Sequence, residues 1–200
     1  METQPDRPEV TDAHSLDELA RRRGWAVRCD VGCRFMFGKL NDLHALWRSK
    51  TASSGIPLRS EMTARLLKPY LTMLAFHERV PGPDGTRRYR VRLIGEDHTN
   101  IAGAVSGKFY DEFLPAKAVP IWNAISDAVL GRGAPLRWLV RADEVNKPYL
   151  VGEHFGAPLL ADDGTASIVL TASHFESNFR FEDVVAEVEG RLPLAVEPTM

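Results

Sequence analysis

Residues 87–95, RRYRVRLIG, alternate without a break: Tyr89, Val91 and Leu93 fall on one side, and Arg88, Arg90 and Arg92 on the other. A period of two marks a strand with one face buried. The residues just before, PGPDGT at 81–86, are dense turn chemistry with Asp84-Gly85 at the tip. Residues 70–80 are apolar and strand-like, and Pro69 holds their first residue to a strand start or an edge. A β-hairpin is therefore expected over 70–95.

A helical middle follows. Residues 96–114 hold short helical pieces broken by Gly103 and Gly107. Residues 116–130, AKAVPIWNAISDAVL, predict a longer helix that turns Val119, Trp122, Ile125, Ala128 and Val129 towards a core. Pro120 falls in its first turns, where a missing N–H does least harm, and Gly131 and Gly133 stop it. Three strands are expected next, at 136–142, 149–160 and 165–174, the last two joined by the turn Ala161-Asp162-Asp163-Gly164. A polar, acidic tail starts at Glu176, with a short helix over 179–188. Strands and helices segregated in this order predict an α+β domain: a five-stranded antiparallel sheet with helices on one face. The hollow between the two layers is where a small molecule would sit.

Upstream of the hairpin the chain is largely helical. Residues 1–13 are polar, acidic and proline-containing, and are expected to be disordered or loosely tethered. Residues 15–23, SLDELARRR, predict a short helix capped by Ser15, with Glu18 three residues later and Gly24 ending it. Residues 25–37 fit a strand or a second short helix. In residues 40–50, LNDLHALWRSK, the side chains of Leu40, Leu43, Leu46 and Trp47 form one helical stripe. Leu43, Leu46 and Trp47 are expected to dock this helix on the outer sheet face or to mediate a dimer. The organisation expected is a helical, partly disordered extension over 1–38, a sheet-and-helix domain over 39–176, and a tail over 177–200.

Bulk properties narrow the function. A net charge of −2 over 200 residues argues against a general nucleic-acid binder. The local cluster Arg21-Arg22-Arg23, with Arg28, is expected to be a solvated helix end. No apolar run approaches the roughly 20 residues that cross a bilayer. The polar start is unlike a secretory signal, and two cysteines are too few for a disulfide scaffold. A cytoplasmic protein with reduced thiols is expected.

Several stretches carry a resemblance: LHALWRSK at 43–50 and the proline loop ending at Pro57, LLKPYLTMLAF at 66–76, YRVRLIGEDHTNIAG at 89–103, SGKFYDEFLP at 106–115, and GAPLLADDGTASIVLTASHF at 156–175. In this order they resemble the PAS-domain family, most closely the single-domain alphaproteobacterial PAS type formerly catalogued as a domain of unknown function. The resemblance covers about two-thirds of the chain. It implies a PAS-like sheet and a sensory or regulatory role in signal transduction, often as a dimer and without intrinsic catalysis. It implies no particular ligand, because members share a fold rather than a binding signature.

Candidate chemistry is sparse. Cys33-Arg34-Phe35-Met36 resembles the N-C-R-F-L-Q motif of flavin-binding LOV domains, but it precedes the first two hairpin strands instead of following them, and Gly32 stands in place of the asparagine. The long helix offers no histidine for haem, leaving His98 upstream of it. Neither flavin nor haem is expected, and the cofactor is left unknown. Cys29 and Cys33, four apart, lack a second donor pair for zinc. His154 and His174 near Glu153, or His98 near Asp97, suggest acid–base chemistry. No nucleophile elbow, paired carboxylates or phosphate loop accompanies them, so no enzyme is expected. The arginine row at 88, 90 and 92 fits a bound anion or an exposed strand face. Candidate cavity residues are Tyr89, Val91, Leu93, His98, Trp122, Trp138 and Tyr149; the same side chains would equally make a filled core. The expected protein is a cytoplasmic sensory module with a small-molecule ligand, a protein partner, or both, with homodimerisation open. The alternatives are a ligand-free interaction scaffold and a small enzyme on a related sheet-and-helix cone.

Overall fold

The structure is a computed structural model that describes residues 10–51, 55–82, 85–142, 147–176 and 180–190, with backbone alone for 142, 147–149 and 187. Its first helix, α1 (Ala13–Arg23), begins earlier than Ser15 because Asp12 is the cap. The Asp12 carboxylate accepts the Ser15 N–H at 2.8 Å, and the Ser15 hydroxyl accepts the Asp12 N–H at 3.2 Å. Two orphan donors are satisfied reciprocally, which is why the pair sets the start. Gly24, at φ +67°, ends the helix, and the arginines of the last turn lie at the negative end of its dipole.

Six strands form one antiparallel sheet: β1 (Val27–Asp30), β2 (Leu74–Pro81), β3 (Arg87–Ile94), β4 (Leu136–Ala142), β5 (Lys147–Leu160) and β6 (Ala166–Glu176). Their order is β1-β4-β5-β6-β2-β3. The hairpin β2–β3 and the late trio meet edge to edge through β6 and β2 in one continuous layer. This is the PAS-like α+β arrangement. The sixth strand is an addition: β1 caps the β4 edge, pairing Val27 with Val140 and Asp30 with Arg137. Of residues 25–37, which fit a strand or a short helix, only Val27–Asp30 form a strand. Residues 70–73, expected as strand, instead belong to a 3-10 turn (Lys68–Met73), because Pro69 sits near its start with the φ that position requires.

Helices cover both faces. On the concave face lie α4 (Glu96–Ala102), α5 (Tyr110–Phe113), α6 (Val119–Arg132) and α1, around a core that includes Leu16, Val91, Ile125, Val129 and Trp138. On the outer face α2 (Gly38–Ser49) and α3 (Ala64–Leu67) close a second core with Phe76, Phe155, Leu159 and Leu170. Strand β5 serves both: Phe155, Ala157 and Leu159 face α2, whereas the opposite side of Gly156 is occupied by Trp138 and Val129. Leu43 and Trp47 are buried in the outer core, Leu46 packs at its margin, and the Trp47 indole N–H donates to the Pro158 carbonyl at 3.0 Å. Each such large side chain contributes about 1.5–3 kcal/mol. The stripe thus closes the domain itself. The last helix, α7 (Phe181–Val188), packs beside β4 and buries Val184 and Val185. No helix among the described residues is long and apolar enough to cross a membrane.

Candidate ligand cavity

Between the concave face and α4–α6 lies a cavity of about 120 Å³. Ala75, Val91 and Ile94 wall it from the hairpin, and Ile101, Phe113 and Trp122 from the helices. Its polar side chains come mainly from adjacent strands, His77 on β2 and Thr171 and Ser173 on β6, with His98 from α4 and Tyr110 from α5.

These groups form two short networks. His77 Nε2 lies 3.0 Å from the Thr171 hydroxyl, which itself donates to the Ala75 carbonyl at 3.4 Å. The Ser173 hydroxyl bridges His98 Nε2 at 2.7 Å and His154 Nδ1 at 2.6 Å. One hydroxyl carries one proton, so at least one of those neutral rings must donate to Ser173. His154 also stacks flat on Trp138, with centroids 5.2 Å apart. Burial holds all three rings neutral: it lowers His77 to about 3 and His98 to about 4, and pushes His154 well below its ordinary value. Burial likewise pushes the Tyr110 phenol up, and its hydroxyl is 3.1 Å from that of Ser126. The wall is therefore uncharged apart from Arg141, which pairs with Glu182 at 3.1 Å.

Of the residues expected at the cavity, Val91, His98 and Trp122 line it. Tyr89 and Trp138 are buried on the same face but outside the wall; the Tyr89 hydroxyl donates to Asp127 at 2.6 Å. Leu93 points the other way. The register shifts from His77↔Val91 to Phe76↔Leu93, so Arg92 is an extra residue in β3 and the phase inverts after it. Ile94 takes the place expected for Leu93, which is exposed on the outer face. The side chain of Tyr149 lies outside the described residues. His77, Thr171 and Ser173 were missed. The one signal for the last two was the alternation Thr171-Ser173-Phe175 along a single strand face.

The acid–base pairs do not assemble. Glu153 faces away from His154, on the α2 side, where it accepts Arg137 Nε at 2.6 Å and the N–H groups of Met36 and Phe37 at 2.9 Å each. Asp97 is exposed, and His174 stacks on Phe37 at 3.9 Å. The arginine row is matched by carboxylates: Arg88 by Asp111, and Arg90 and Arg92 by Glu78. Arg28 pairs with Asp17 and Glu189.

A flavin does not fit this cavity. A cavity of about 120 Å³ is far below the 300–1,000 Å³ that hold multi-ring ligands. Cys33 lies in the outer-face core, on the wrong side of the sheet, and burial pushes its thiol up to about 11. Cys29 is buried beside α1. Among the described residues, no group of three histidine, cysteine or acidic side chains could hold a metal ion.

No family model and no curated protein matches the sequence. Solved structures similar to it are light-oxygen-voltage domains. One, studied with a flavin analogue, has 16% identity and a TM-score of 0.40, covering 64% of this chain and 94% of that one. An RNA-binding light-oxygen-voltage receptor has 14% identity and a TM-score of 0.37; the match covers 70% of this chain and 41% of the receptor. The light-state structure of the blue-light photoreceptor Aureochrome1 LOV has 15% identity and a TM-score of 0.36, covering 62% and 97%.

Proposed function

We propose that this chain is a cytoplasmic sensory or regulatory PAS-like module that holds a small ligand between its sheet and helices and passes occupancy to a protein partner, without catalysis of its own. The observation that carries this is the cavity: apolar walls converging with His77, Thr171 and Ser173 at one place between two layers. Apolar walls with a few fixed polar groups are the usual make-up of a small-molecule site. Occupancy would bias whatever conformations the short helices α4 and α5 sample, and a partner that prefers one of them would read the change. Native mass spectrometry of the full-length purified protein tests the proposal. A retained small molecule, or one restored by adding candidate compounds, is the expected result. A chain that holds nothing and responds to nothing would favour a ligand-free scaffold that docks partners through its surface.

A further inference from the structure

Resting on the proposed ligand-holding role, the geometry points to the class of ligand: we infer that the cavity selects a neutral molecule of a single aromatic ring with one hydrogen-bond donor, which His77 Nδ1 accepts. Size comes first. An apolar cavity near 150 Å³ holds benzene, so about 120 Å³ admits one ring at most and no fused system. Charge comes second. His77, His98 and Tyr110 are all uncharged at neutral pH, and the one charge at the wall, Arg141, is already matched by Glu182, so an ion brought in would lose its hydration with no unmatched opposite charge facing it.

The hydrogen-bond inventory then singles out His77. Thr171 donates to the Ala75 carbonyl, so its hydroxyl accepts from His77, and the proton of that neutral ring is on Nε2. Nδ1 is left as a bare acceptor, buried and without a partner. Tyr110 and Ser173, by contrast, are already engaged with Ser126 and with the two other histidines. His98 Nδ1 is also buried and without a partner, but Ser173 leaves the tautomer of that ring open; His77 Nδ1 is the acceptor that Thr171 fixes, and a hydroxyl or N–H on the ring edge would satisfy it.

Phenol, benzene and benzoate are the probes, titrated into full-length protein and followed by amide NMR shifts. Phenol is expected to bind about tenfold tighter than benzene, the worth of one buried hydrogen bond, and benzoate not at all. His77→Phe is expected to abolish the phenol preference while benzene still binds. In wild-type protein the ¹⁵N shift of His77 Nδ1 reads the same contact without any variant: it starts as an unprotonated nitrogen and moves when phenol donates to it. Equal binding of phenol and benzene, or no ¹⁵N response, would overturn the donor assignment and leave the cavity function standing. Benzoate binding as well as phenol would overturn the neutrality. If no probe binds but a larger molecule copurifies, the size assignment fails alone. If nothing binds by any method, both proposals fall.

Discussion

Arg137 ties three strands of the sheet to the entry of α2. Its guanidinium, 2% exposed, bridges Glu153 on β5 and Asp30 on β1, and Glu153 in turn holds the entry to α2 through two backbone N–H groups. Buried charges stabilise little as a pair but cost heavily when one is left alone. Arg137→Met is therefore expected to lose about 3–5 kcal/mol in urea unfolding, and Arg137→Met with Glu153→Gln to recover at least half. A double variant no better than the single would show that the arginine acts by packing alone. The same scale shows why His77 was hidden. Leu74, Ala75, Phe76 and His77 are all buried, because both faces of β2 are covered. Covering both faces erases the period of two, and a histidine inside such a run carries no phase signal.

At the scale of elements, local chemistry and packing disagree most usefully in α6. Gly131 lies inside the helix, where alanine would ordinarily gain about 1 kcal/mol. Here an added Cβ would lie 2.5 Å from the Thr11 carbonyl oxygen. The glycine is there so that the chain before α1 can cross the helix closely. Gly131→Ala is expected to lower stability by about 1–3 kcal/mol and to speed amide exchange around Val10–Leu16; stabilisation instead would mean that this crossing is not held. The element boundaries legible in the sequence were those with chemical punctuation: Gly24, Gly133 and the Ala161–Gly164 turn. Strand β1 had none, since four residues gain their structure only by pairing with β4.

For the molecule as a whole, the histidines tie stability to pH. Folded pKa values depressed below the unfolded 6.5 mean that stability is full above about pH 6.5 and is lost as the unfolded chain takes up protons the native one refuses. His77, His98 and His154 together contribute a slope of about 4 kcal/mol per pH unit below 6.5, continuing until the folded values are reached. Urea midpoints measured from pH 8 to 5 should be flat at first and then fall; His154→Gln should make the fall about two-thirds as steep. A flat profile to pH 5 would mean that these rings are not buried neutral. Some of this molecule was determined by the sequence by itself: the hairpin, the long helix, the strand trio and hence the α+β class. Those follow from periodicity and turn chemistry, which act over a few residues. Only the tertiary structure decided which face each strand residue meets, that Leu93 turns out and Ile94 in, and that His77 and His98 converge at one cavity with His154 joined to them through Ser173. Bulges, edge pairing and double-sided burial are long-range outcomes, and no local pattern encodes them.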